Sequence, residues 1–224
     1  MPPVLHRMSR GLHRYGLVGS GRRVLTKAAS LGYLHEEHVW YSLEFAAERR
    51  RHPLPDGLRL ARERGEDEPP ALAGEEARDR LAVGAEVWVV RDDDQAAFAC
   101  WIFRERAPVL ACRTGWLEIP AGAVVLEDSI TSPDFRGRGI APAAWSAIAD
   151  FLAAEGLERM LTKVEVENTA SRRAVEKASF AEVAIMRLTR LGPRKRVEIV
   201  PFDPIGLMLA ERLGARLGPR SSCD

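Results

Sequence analysis

Arg136-Gly137-Arg138-Gly139-Ile140-Ala141 stands between Val124–Ser132, which reads as a β-strand, and Ile140–Ala154, which reads as a helix. Gly137 and Gly139 let the main chain take positive φ, so that successive N–H groups converge on one point. The helix behind them adds its unpaired first-turn amides and the positive end of its dipole, a combination that suits a diphosphate. Taken alone, a Gly-rich turn is a weak signal, because most such turns are only turns. Pro142 falls in the first helical turn, where a missing N–H and a fixed φ are tolerated.

Downstream, Arg159–Val166 alternates as a further strand. It is followed by Glu167-Asn168-Thr169-Ala170-Ser171-Arg172-Arg173-Ala174-Val175-Glu176-Lys177-Ala178-Ser179-Phe180. Strand, Arg-x-x-Gly-x-Ala turn, helix, strand, then Asn-x-x-Ser before a short helix ending in Lys-x-x-Phe: this order resembles the GNAT superfamily of acyl-CoA N-acyltransferases. The resemblance covers Leu58–Val200 and is strongest over Leu126–Phe180. It implies an α/β three-layer fold, with a mixed central sheet flanked by helices. It also implies acetyl-CoA or another acyl-CoA as cosubstrate, without a metal, and an amine-bearing acceptor; it leaves room for a homodimer.

The resemblance further implies roles by residue. Arg136, Gly137, Arg138, Gly139, Ile140 and Ala141 would hold the coenzyme A pyrophosphate, largely through backbone amides. The preceding strand would bind pantetheine through Ile130 and Thr131, with the Ser129 amide polarising the thioester carbonyl. Asn168 would contact a pantetheine amide or simply cap its helix, two roles that are compatible. Ser171 is assigned to coenzyme binding. Arg172 and Arg173 would reach the 3′-phosphate or lie in water. Two departures stand out. Where many members carry a tyrosine seven residues after the asparagine, to protonate the leaving thiolate, this chain has Val175. The usual glycine before the phenylalanine is Ser179.

Amide formation requires a neutral amine, so a carboxylate able to take the ammonium proton is the expected helper. Strand alternation puts Val125, Glu127, Ser129 and Thr131 on one side and Leu126, Asp128 and Ile130 on the other. Glu127 is therefore the first choice of base and Asp128 the second. Against both stands the plainer reading, in which the carboxylates pair with arginines or cap a neighbouring loop. No residue in the motifs offers a covalent nucleophile, which favours direct transfer in a ternary complex. A coenzyme A-binding module without catalysis is the alternative, and an O-acyltransferase acting on sugar or lipid hydroxyls is a third reading.

The rest of the chain bounds these expectations. With 224 residues, 46% hydrophobic and 29% charged, it suits one globular domain with an extension. A net charge of +1 gives no reason to expect nucleic-acid binding. Cys100, Cys112 and Cys223 are scattered, without metal-ligand spacing, so a reducing cytoplasm is the expected compartment. No apolar run is long enough to span a bilayer. Residues 1–35 are basic, and all five histidines precede Pro53. This excludes histidine catalysis from inside the region of resemblance unless a residue of the arm folds back.

The expected layout is a basic N-terminal extension and strand over 1–46, the acyltransferase domain over 47–203, and a C-terminal helix and tail over 204–224. Within it, helices are expected over Val4–Tyr15 and Gly21–Leu34, a strand over His38–Phe45, a strand over Leu58–Arg62 and a helix over Glu75–Ala82. A hairpin should turn at Asp92-Asp93-Asp94, a solvated turn rather than a metal site. Further strands are expected over Arg113–Ile119, Phe180–Leu191 and Lys195–Phe202, and a helix over Pro204–Leu217. The Glu75 helix and the Ala107–Gly122 loop are expected to build the acceptor pocket.

Overall fold

A computed structural model of the chain describes residues 33–63, 70–74 and 76–219. The helix expected over Val4–Tyr15 lies outside the described residues, as does nearly all of that over Gly21–Leu34. The strands are β1 Tyr33–Glu44, β2 Leu58–Glu63, β3 Glu86–Asp92, β4 Gln95–Phe103, β5 Arg106–Pro108, β6 Trp116–Glu118, β7 Ala123–Thr131, β8 Arg159–Glu165, β9 Ala181–Leu191, β10 Arg194–Pro201 and β11 Arg216–Leu217. The α-helices are α1 Ala77–Ala82, α2 Ile140–Ala154, α3 Thr169–Lys177 and α4 Pro204–Leu213.

One sheet of nine strands runs in the order β11-β10-β9-β1-β8-β7-β4-β3-β2. The pair β7–β8 is parallel, joined through α2, and most other pairs are antiparallel. Helices α2 and α3 pack on one face, over Phe98, Ile102, Leu126 and Met160. Helices α1 and α4 and the β5–β6 hairpin cover the other, over Trp40, Trp101, Val125 and Leu161. Both faces are covered, giving the three-layer α/β arrangement expected from the sequence.

β1 is the main departure from the expected path. It begins at Tyr33 rather than His38, so the last two residues of the expected second helix are strand. It is also no edge element: it lies between β8 and β9, antiparallel to both. Trp40, Tyr41 and Leu43 are buried, and each contributes roughly 1.5–3 kcal/mol through apolar burial. Their aromatic and β-branched run is thus the signature of an interior strand. Smaller corrections follow from local geometry. The helix expected to reach Leu217 stops at Leu213, because Gly214 turns left-handed at φ 58 and Arg216–Leu217 pairs in parallel with β10. The strand expected over Arg113–Ile119 shrinks to Trp116–Glu118, in a separate ribbon with β5.

Ser179 takes the conformation for which a glycine is usual, φ 68. Its N–H donates to the Glu176 carbonyl at 2.9 Å and the Phe180 N–H to the Val175 carbonyl at 3.1 Å, a Schellman ending for α3. The turn geometry is therefore kept without glycine. Left-handed φ costs a non-glycine residue about 1 kcal/mol or more. The Ser179 hydroxyl offsets part of that by accepting from the Arg50 N–H at 3.1 Å. Ser179→Gly is expected to stabilise the fold by ~0.5 kcal/mol, and a lower urea midpoint than wild type would contradict this account.

Candidate active site

β7 and β8 pair only from Ala123↔Arg159 to Leu126↔Thr162. At that last rung the Thr162 hydroxyl donates to the Leu126 carbonyl at 2.9 Å and closes the ladder. Beyond it β7 keeps only β4 as neighbour and β8 keeps only β1, so the two strands separate. The backbone groups of Glu127–Thr131 on the β8 side then face a gap rather than a strand. An extended chain with amide groups fits such an edge as an added strand would.

The divergence coincides with a bulge. Ile130 pairs with Ala99 but Glu127 with Trp101, so β7 carries one extra residue opposite β4. Asp128 absorbs it at φ 49, in a region that Asp tolerates better than most residues. The bulge overturns the expected alternation. Ser129 turns to the α2 face, where its hydroxyl accepts from Trp145 Nε1 at 3.2 Å. Glu127 and Asp128 both turn to the opposite face. There Glu127 is bonded by Lys163 Nζ and Asp128 by Arg80 of α1.

Each carboxylate is therefore ion-paired, as the plainer sequence reading had it, though Glu127 pairs with a lysine. Glu127 and Lys163 side chains are only 13% and 12% exposed. Burial pushes the Glu127 carboxyl above the ordinary carboxylate range, with the Lys163 ammonium pulling the other way. Lys163 Nζ lies 5.8 Å above the Trp40 ring and the Arg80 guanidinium 5.4 Å above the Trp101 ring. These two indoles form an apolar floor under the charged row.

At the α2 end of the gap, Gly137 and Gly139 have φ 76 and 75. Among the described residues the amides of Gly137, Arg138, Gly139, Ile140 and Ala141 meet no backbone acceptor. Arg136 Nε donates to the Thr131 carbonyl at 3.3 Å and Arg138 Nη2 to the Asp134 carbonyl at 3.0 Å. Both guanidiniums are thus drawn back on the turn, leaving the amides exposed for an anion. Asn168 caps α3 by accepting from the Ser171 N–H at 3.1 Å. Arg172, expected at a phosphate or in water, is held by the Tyr41 hydroxyl at 3.0 Å and Glu182 at 2.9 Å. Val175 is the buried residue of α3, turned into the core.

A family model, the acetyltransferase (GNAT) family, matches residues 41–180. The chain belongs to the GNAT acetyltransferase family. No curated protein sequence matches it. Among solved structures, this GNAT chain is similar to a GCN5-related N-acetyltransferase from Sphaerobacter thermophilus, with TM-score 0.52 and 14% identity over 82% of the chain and 57% of that protein. A GNAT-family protein from Novosphingobium aromaticivorans gives TM-score 0.50 and 18% identity over 72% and 67%. A Drosophila protein gives TM-score 0.50 and 15% identity over 78% and 58%. At such identities the likeness shows the fold, and the chain spans under three-fifths of the Sphaerobacter and Drosophila proteins. Acetyltransferases of this family use acyl-CoA.

Four residues beside the gap escaped the sequence reading: His38, Trp40, Arg80 and Lys163. The lysine was within reach, because a parallel β7–β8 pair sets Lys163 beside Glu127 once the register is known. His38 and Trp40 arrive only through the insertion of β1, which brings a histidine of the extension beside Lys163. Burial and the Lys163 charge lower the His38 imidazole to about 4, and its Nδ1 is buried without a partner. His38 is therefore neutral when folded but titrates near 6.5 when unfolded. Stability from this group is present above about 6.5 and is lost as pH falls toward 4. From pH 7 to 5 the loss through His38 is about 2 kcal/mol. His38→Gln should flatten that part of the urea-midpoint profile; an unchanged slope would show that His38 is charged in the fold.

Among the described residues no helix is long and apolar enough to cross a membrane, and no cluster of His, Cys, Asp or Glu has metal-binding geometry.

Proposed function

We propose that the chain transfers an acetyl or other short acyl group from acyl-CoA to an amine of its acceptor, by direct attack in a ternary complex. One observation carries the reading: a buried carboxylate, Glu127, sits at the root of the β7–β8 gap whose other end is the anion-ready turn. Pyrophosphate on the amides of 137–141 and pantetheine along Ile130 and Thr131 would lead the thioester to Ser129. The Ser129 amide would polarise the carbonyl. Asn168 and Ser171 would flank the same cleft from α3, while Arg172 serves by holding Tyr41 and Glu182 in place.

Glu127 takes the proton of the acceptor ammonium, directly or through water, and Asp128 holds Arg80 beside it. The thioester is already an activated acyl donor, so the step calls for no metal. The leaving thiolate takes its proton from water in this reading. Tyr41 does not replace the missing tyrosine of α3: burial pushes its phenol up to about 12, and Arg172 and Glu182 already engage it. The acceptor would enter on the face of α1 and the β5–β6 hairpin, toward which Glu127 and Asp128 point. Buried free thiols at Cys100 and Cys112 support a reducing, cytoplasmic setting.

The buried Val175 and the ion pairing of both carboxylates favour one rival, a coenzyme A-binding module without turnover. Calorimetry with coenzyme A, followed by acetyl-CoA turnover with a panel of amines, separates the two. Binding with turnover is expected. Binding with no turnover on any amine would leave the module, and no binding would remove both readings.

A further inference from the structure

The first residues past the last β7–β8 rung are Glu127 and Lys163, and they are bonded to each other. The geometry points to Lys163 as a site of self-acetylation: its Nζ is an amine already seated on the carboxylate that would deprotonate an acceptor. This rests on the proposed function, which brings the thioester to Ser129, two residues along β7 from Glu127 across the bulge. Lys163 is held there by structure rather than by chance. Its Nζ lies 5.8 Å from the centroid of the buried Trp40 ring, and with 12% of the side chain exposed the ammonium is withdrawn from bulk water.

The step balances without another reactant. Glu127 takes one proton from the Lys163 ammonium, and the freed Nζ lone pair attacks the thioester carbon. The C–N bond forms, the C–S bond breaks, and the coenzyme leaves as thiolate. The second nitrogen proton goes to the thiolate through water, while Glu127 returns its own to solvent. Nucleophile and base within hydrogen-bonding reach of each other is the arrangement that activates a nucleophile. The product amide is uncharged, so Glu127 loses its counter-ion inside a buried setting. Of the charges that hold its carboxyl down, Arg80 remains but Lys163 is gone, so burial raises the carboxyl further. Self-acetylation therefore lowers turnover, as a brake set by acetyl-CoA supply in the absence of acceptor.

The test incubates the full chain with deuterium-labelled acetyl-CoA, without acceptor, and follows lysine peptides by mass spectrometry beside a calorimetric titration with coenzyme A. Lys163 is expected to label roughly 10²-fold faster than the exposed Lys177 and Lys195, as general-base assistance allows. Glu127→Gln should bring Lys163 down to their level, and a heat-denatured sample gives the uncatalysed rate for all three. Coenzyme A binding with Lys163 labelled no faster than Lys177 overturns the inference and leaves the proposed function standing. Failure to bind coenzyme A overturns both. Labelling of Lys163 that persists in folded Glu127→Gln overturns the role given to Glu127.

Discussion

Glu127→Gln is expected to lower the acyl-transfer rate by roughly 10²–10⁴ at neutral pH, with coenzyme A affinity nearly unchanged. The amide keeps the size of the side chain but cannot take a proton, so the amine must lose it to water before attack. Lys163 would still find a hydrogen-bond acceptor, which protects the fold. Rate against pH gives the sharper readout. Wild type should lose activity as pH falls through the Glu127 pKa, which burial raises above the ordinary carboxylate range. The variant should lack that acid limb. Asp128→Asn is the matching control, because Asn also tolerates the left-handed φ of 49 that the bulge imposes. If Asp128→Asn abolishes turnover while Glu127→Gln does not, the base is Asp128; if neither matters, the base is water or the acceptor itself.

Gly139→Asp is expected to weaken coenzyme A binding by well over tenfold, more than about 1.4 kcal/mol. Gly139 precedes α2 at φ 75, and nothing lies within 4 Å of a Cβ placed there. The side chain would thus meet open space in the free protein, where the cost is the strain of a positive φ, about 1 kcal/mol or more for a non-glycine residue. A carboxylate at the N-terminus of α2 would compete with the pyrophosphate for the same amides and repel it. Calorimetry on a folded variant decides the matter. Unchanged affinity would remove the turn from the coenzyme site.

The turn and the helix behind it were legible because their signals are local. Glycine at two positive-φ sites and proline in the first turn of α2 follow from backbone sterics, which depend on a few adjacent residues. The Asn168 cap and the hairpin at Asp92–Asp94 were readable for the same reason. The faces of β7 were not. Alternation is a rule of regular strands, and the bulge at Asp128 breaks it by setting two residues against one on β4, something only the pairing of distant strands reveals.

By itself, then, the sequence determined the order of the main strands and helices among the described residues, the glycine turn before α2, the α3 cap and the family to which these belong. Tertiary structure alone decided the rest. The insertion of β1 between β8 and β9 places His38 and Trp40 beside Lys163, more than a hundred residues away in the chain. The bulge turns Glu127 and Asp128 to one face and Ser129 to the other. The partners of those carboxylates, Lys163 and Arg80, come from a neighbouring strand and from α1, which packs over the face to which the carboxylates turn. Local backbone preference is written in neighbouring residues, whereas strand pairing and charge pairing are fixed by which distant surfaces are buried together, and a one-residue shift in register changes them all.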